Sequence, residues 1–281
     1  MIKKIKSFFL LCFGMFFAFS AGAQNFSLGV RSGISIPNLT GGGGAAFPLS
    51  TDYKSRFGID EAISGEYHFS KLFSLQVMAE YSSQGGKRNG NQALARKSDF
   101  LAGLQQSQGG SQPPIDPAIL NQLMTALNSS PANYIYADAN NVSKLNYLLI
   151  PVSAKFGWNL RKNSPVRFYF DGGPFVGFLL NAKQEIKNAQ NISLADNGIP
   201  AIPLPIPGQF FDGTQDVKSS LHTFNIGFSG EVGFAYNFNE KNNIFIEGGG
   251  NYGFRAIQKD PQDGKNHVGA GTVGLGYAHT F

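Results

Sequence analysis

A single cysteine, Cys12, occurs in 281 residues, and it falls inside an N-terminal apolar stretch. Disulfides, iron–sulfur clusters and cysteine-ligated zinc are therefore excluded from everything downstream. Histidine is scarce too: His68, His222, His267 and His279 show no paired ligand spacing and form no His-Glu-x-x-His unit. No loop carries the Asp/Asn repeat of a calcium site, and no metal or other cofactor is expected. Charged residues make up only 15% of the chain. No Lys/Arg cluster offers nucleic acid a footprint, so no nucleic-acid partner is expected. Beyond residue 23 no run approaches 18 consecutive apolar residues, which rules out a bundle of membrane helices.

The first residues read as a targeting segment. Lys3, Lys4 and Lys6 form a basic start, residues 8–19 an apolar core, and Ala21-Gly22-Ala23 supplies small residues before Gln24. That pattern predicts a secretory signal peptide over 1–23, cut between Ala23 and Gln24, and one barrel domain over 24–281. A retained anchor would need roughly 20 apolar residues. Cys12 lies within the apolar core, away from the cleavage point, so lipidation is not expected. The net charge of +5 includes the three lysines of this segment, leaving 5 − 3 = +2 for the rest.

What the chain has in quantity is glycine (35) and phenylalanine (26), with 10 tyrosines. Alternation of apolar and polar residues with period two recurs in eight places. It runs through Phe26, Leu28, Val30, Ile34 and Ile36; through Ile59, Ile63, Tyr67 and Phe69; and through Phe73, Leu75, Val77, Ala79 and Tyr81. It returns around 145–158, 166–180, 221–238, 244–254 and 268–281. The connections alternate as well: three are short, and those at about 37–56, 86–143, 184–219 and 257–266 are long. This is the rhythm of an all-β, antiparallel, up-and-down transmembrane β-barrel of about eight strands in an outer membrane, with long extracellular loops and both termini in the periplasm. Outer-membrane lipid is then its immediate partner. A secreted β-sandwich would also alternate, but it predicts neither the long-short rhythm nor aromatic rims. Here Phe69, Phe73, Trp158, Phe168, Phe238 and Phe281 fall at one edge, and Phe57, Tyr81, Phe178, Phe224 and Phe254 at the other. Glu61 lies in the apolar register near the outer end of its strand, where an interfacial position or a bulge would relieve its cost. Within 86–143, Ile115, Ile119, Leu120, Leu123, Met124 and Leu127 follow helical spacing between Pro114/Pro117 and Asn128-Ser129-Ser130-Pro131, predicting one short helix. Residues 199–207 read as a polyproline-type segment.

The polar register defines the lumen. It holds the acids Asp60, Glu66, Glu80, Asp171, Glu231 and Glu247 and the bases Arg31, Lys155, Arg167 and Arg255, with His68 able to join them. An eight-stranded interior is only wide enough to be filled by side chains, so paired charges plugging it are the first expectation. Two alternatives stay open. One is a small pore. The other is a lipid-modifying hydrolase built on His68, Ser64 and Glu66, which share one lumenal face. At the end of the chain, Tyr277 and the final Phe281 resemble the signal read by the barrel assembly machinery, a second expected partner.

Three stretches carry a family resemblance. Tyr147-Leu148-Leu149-Ile150-Pro151-Val152-Ser153-Ala154-Lys155-Phe156 resembles the Tyr-Leu-x-Ile-Pro segment of the PorT-like outer-membrane β-barrel proteins. Gly172-Gly173-Pro174-Phe175-Val176-Gly177 resembles their Gly-x-Pro-aromatic-x-Gly strand, and Phe224-Asn225-Ile226-Gly227-Phe228 with Gly230-Glu231-Val232-Gly233 their later glycine-rich strand. The resemblance implies an outer-membrane protein, in some members one serving secretion or surface assembly, with other outer-membrane or secretion proteins as partners. The resulting expectation is a non-enzymatic barrel acting through its outer loops.

Overall fold

Alternation with period two puts apolar side chains on one side of a strand, and the strands close into a ring that turns those sides outward. The computed structural model describes residues 25–107, 116–162, 164–196 and 198–281. The expected signal peptide, its cleavage residues Ala23 and Gln24, and Pro114 and Ile115 of the expected helix lie outside the described residues. The strands are β1 (Phe26–Thr40), β2 (Gly58–His68), β3 (Phe73–Arg96), β4 (Tyr134–Asn159), β5 (Val166–Asp196), β6 (Ile199–Pro203), β7 (Gly213–Asp216), β8 (Phe224–Asn237), β9 (Asn242–Gly253) and β10 (His267–Thr280). Two helices, α1 (Lys97–Ser107) and α2 (Pro117–Ser129), stand between β3 and β4.

Eight strands make the ring. The order β4-β3-β2-β1-β10-β9-β8-β5 is closed by β4 pairing with β5, every pair antiparallel. The short β6 and β7 pair with β5 outside the ring. Val30, Ile63, Val232 and Leu275 all turn outward and are more than half exposed, where a soluble sandwich would bury them. No described helix is long and apolar enough to cross a membrane. Around the short-turn end the rings of Tyr67, Phe69, Phe73, Phe156 and Phe170 follow one another at 4.9–5.5 Å between centroids. At the other end Phe178 packs on Phe224 at 5.7 Å and Tyr252 on Phe254 at 6.2 Å. These are the two aromatic girdles.

Two glycines make room for large side chains crossing the interior. A Cβ on Gly233 would lie 2.5 Å from the Tyr169 hydroxyl, and one on Gly276 would run into the Phe245 ring.

Three expectations change. The link 86–143 is strand at both ends, because β3 runs on to Arg96 and β4 starts at Tyr134; β5 likewise extends to Asp196. The single expected helix becomes two. α2 matches the expected one, with Asp116 accepting the Ala118 N–H at 2.7 Å and Pro117 at its start, while α1 has no strong apolar stripe to betray it. The polyproline segment contains strand β6 at the edge of the sheet, where Pro200 and Pro203 cost no ladder bonds to a further strand.

Candidate functional site

The middle of the lumen is built on Arg31 of β1. Its Nη2 donates to Asp60 Oδ1 at 2.6 Å and lies 3.3 Å from Glu80 Oε2. Its Nη1 donates to Glu247 Oε1 at 2.8 Å and to Glu231 Oε1. β2, β3, β8 and β9 thus converge on one guanidinium, whose planar fork suits several carboxylates at once. All five side chains are buried, so each charge depends on the others for what water would have given it. The Tyr169 hydroxyl, from β5, donates to Glu247 Oε2 at 2.5 Å, and Asp171 is buried two residues along the same strand.

Toward the short-turn end lies a second layer. Lys155 Nζ is 3.2 Å from Glu66 Oε2 and sits over the Tyr169 ring at 4.1 Å. Ser74 Oγ donates to Glu66 Oε1 at 2.5 Å, and His68 Nδ1 is 3.4 Å from the same oxygen. His68 Nε2 meets Ser27 Oγ at 2.8 Å, and Ser27 Oγ meets Thr280 Oγ1 at 2.7 Å. Apart from Ser74, these residues line, with Arg167, a cavity of about 590 Å³ opening at the short-turn end. The serine against His68 is therefore Ser27, not the Ser64 expected from strand alternation. Ser27 is buried and faces Thr280 across the β1–β10 pair. Its hydroxyl, engaged by both His68 and Thr280, fastens the ring where first and last strands meet.

A third layer closes the opposite end. Gln84 Nε2 donates to Ser82 Oγ at 2.9 Å and to Asn251 Oδ1 at 3.0 Å. Above it Leu39, Leu145, Tyr147, Leu149, Phe175 and Leu179 join an apolar cluster with Leu221, Ile257 and Val268. Side chains therefore occupy the lumen at three levels.

Beyond that cap, the long hairpins of β3, β4 and β5 carry a lobe with a core of its own. Phe100 and Leu104 of α1 and Leu123 and Leu127 of α2 pack on Ile135, Ile186, Ile192, Leu194, Leu204 and Ile206. Phe100 stacks on Phe211 at 5.5 Å. Arg96 ties the lobe to the β9–β10 connection by donating to Asp263, with Asp260 3.7 Å away. Burial pushes the Asp263 carboxyl up, with Arg96 opposing. On the open side, hydrogen bonds from Lys144 and Lys187 hold Glu185 down at about 2.

Residues 22–259 match the family model of the outer membrane protein β-barrel domain. The chain belongs to that family. No curated protein matches the chain. Among solved structures, this outer-membrane barrel is similar to Neisserial surface protein A, at 11% identity and a TM-score of 0.37 over 90% of this chain and 97% of that one. It is similar also to a major outer membrane protein of Thermus thermophilus, at 11% identity and a TM-score of 0.39 over 91% and 99%. The N-terminal barrel domain of Pseudomonas aeruginosa OprF matches at 12% identity and a TM-score of 0.35 over 92% and 98%.

The barrel brings together Arg31, Asp60, Glu80, Glu231 and Glu247 in one layer and Glu66, His68 and Lys155 in the next. Arg167 points into the cavity at the short-turn end, and the structure gives it no ion pair among the described residues. Arg255 is a correction. It is exposed outside the lumen, donating to the Phe224 carbonyl at 3.5 Å and lying 3.1 Å from His222 Nδ1. β9 ends at Gly253, so alternation no longer sets the direction of residue 255. The lumen then holds six of the expected acids against Arg31, Lys155 and Arg167. At the chain end, Phe281 N–H donates to the Phe26 carbonyl at 3.0 Å and the Tyr277 hydroxyl donates to Asn242 at 2.5 Å. The sequence reading missed Ser27, Tyr169 and Gln84. A tyrosine in the polar register opposite a glycine strand was the available signal for Tyr169.

Proposed function

We propose that the protein is a PorT-like, non-conducting and non-enzymatic outer-membrane barrel that works as a binding scaffold in secretion or surface assembly, through the lobe carried by β3, β4 and β5. The observation that carries this reading is the pairing of a lumen filled at three levels with a lobe that has its own core. A filled eight-stranded interior leaves no path, whereas a folded lobe presents fixed surface. The three short turns share one end with Phe26 and Phe281, which supports periplasmic termini and an extracellular lobe. The Tyr277 and Phe281 end suits recognition by the barrel assembly machinery.

The test is to replace residues 97–133 by a short turn, so that β3 and β4 stay joined. The trimmed barrel should still shift its gel mobility on heating, and the strain should show the same loss of surface proteins as a full deletion. A wild-type surface profile from the trimmed barrel would overturn the scaffold reading.

A further inference from the structure

Arg31, Lys155, Arg96, Lys144 and Lys187 each have a carboxylate within 4.0 Å. Among the cations that make no ion pair among the described residues, Lys183, Lys218, Arg255 and Lys259 are set apart by position, all lying on the β5–β8–β9 side of the ring.

The group is held by backbone rather than by acids. Lys218 Nζ donates to the Leu180 carbonyl at 2.7 Å, and Lys259 Nζ to the Ser219 carbonyl at 2.7 Å. Arg255 reaches the Phe224 carbonyl and His222. The segment between β7 and β8 is itself clamped, with Lys259 N–H donating to Ser220 O at 3.0 Å and His222 N–H to Ile257 O at 2.8 Å. Burial, with Arg255 and Lys259 adding to it, holds the His222 imidazole below the usual histidine range. The acids nearby are committed: Asp216 accepts the Lys218 backbone N–H at 2.8 Å, and Asp260 lies against Arg96. An ammonium bound to one carbonyl keeps two donors free, and a guanidinium more.

Height gives the group its meaning. Phe178, Phe224 and Phe254 form the girdle at the long-connection end, and the carbonyls used by Lys218 and Arg255 belong to Leu180 and Phe224. The cations therefore stand just above the apolar band, at headgroup level. We propose that Lys218, Arg255 and Lys259, flanked by Lys183 and His222, form a binding site for the phosphate of a phosphorylated glycolipid in the outer leaflet. The proposal rests on the reading that the lobe faces outward. Fixed, unpaired cations at that depth match phosphate esters by charge and by hydrogen-bond geometry, while Phe178 and Phe224 lie against the acyl chains.

The experiment uses the full-length barrel in phosphatidylcholine vesicles, titrated with fluorescent diphosphoryl lipid A, with the same lipid after phosphatase treatment, and with inorganic phosphate as competitor. Wild type should bind the phosphorylated lipid at least about tenfold more tightly than the dephosphorylated one, and the Lys218→Gln/Arg255→Gln/Lys259→Gln variant should lose about that factor. A Lys144→Gln/Lys187→Gln control, which removes cations already paired with Glu185, should bind as wild type does. If the triple variant does not fold, judged by heat-dependent gel mobility, Arg255→Gln alone should weaken binding about threefold. Equal binding of both lipids, or unaltered binding by the variants, overturns the site. Competition by inorganic phosphate at concentrations equal to the lipid would overturn the lipid as its ligand. Labelling of Lys259→Cys on intact cells by an impermeant maleimide is expected. Its absence would overturn the orientation and the proposal with it, whereas labelling without phosphate dependence would overturn the site alone.

Discussion

Arg31 is the residue on which four other strands converge, and its neighbours are not equivalent to it. Removing the one guanidinium leaves Asp60, Glu80, Glu231 and Glu247 facing each other in a buried space, while removing one carboxylate leaves three to serve the guanidinium. Arg31→Gln should therefore cost about 3–5 kcal/mol, and Glu231→Gln should stay within about 1 kcal/mol of wild type, measured by urea unfolding in lipid vesicles. Equal losses for both would mean that the layer is not organised around the arginine. Glu61 shows the opposite situation. It lies on the lipid face, accepts from Ser32 Oγ at 3.0 Å and pairs in register with Tyr81, so interfacial placement relieves it; β2 keeps register with both neighbours and has no bulge there. Most lumen residues were legible in the sequence because period two assigns every side chain of a regular strand to one face. The contact between Ser27 and His68 was not, because 41 residues separate them and only ring closure and register bring them together. Arg255 was misplaced for the converse reason, lying beyond the end of its strand.

At the scale of elements, the eight ring strands were legible within the membrane and their extensions were not. Residues 87–92 of β3 read Lys-Arg-Asn-Gly-Asn-Gln, with polar side chains on both faces, because no lipid touches this part of the strand. Alternation requires one wet and one dry side, and in the lobe that distinction fades. The lobe's dry side is supplied instead by α1 and α2. α2 was visible from its apolar spacing, whereas α1, among its described side chains, buries Phe100 and Leu104 with Leu101 half-buried beside them, too short an apolar run to stand out. Leu123 and Leu127 are fully buried, so their loss should act on the lobe as a unit. Leu123→Ala is expected to destabilise the lobe by about 2–5 kcal/mol through the cavity it leaves. Brief proteolysis should then cut within 97–133 while the barrel keeps its heat-dependent gel mobility. Loss of the whole barrel together with the lobe would show that the two do not fold as separable units.

For the whole molecule, the outward apolar band and the inward polar layers are one pattern seen from two sides. Every strand that gives lipid a Val, Ile or Phe gives the lumen the residue next to it, so the membrane surface and the plug cannot be altered independently by shifting register. Closure by β1 with β10 makes the interior a fixed volume, and beyond the cavity at the short-turn end Tyr169, Lys155, Arg31 and the apolar cap stand across it. On the proposed scaffold reading, passage of ions would need all three levels to open together. Wild-type protein in planar bilayers should accordingly show no conductance steps. The double variant Arg31→Ser/Tyr169→Ala should remain silent as long as the cap of Leu145, Tyr147 and Leu149 is intact, and adding Tyr147→Ala should admit small, short-lived steps. Steady conductance by the wild type would show that the cap moves, and would favour the pore reading over the scaffold. Conductance by the double variant alone would show that the charged layer, and not the apolar cap, is the barrier.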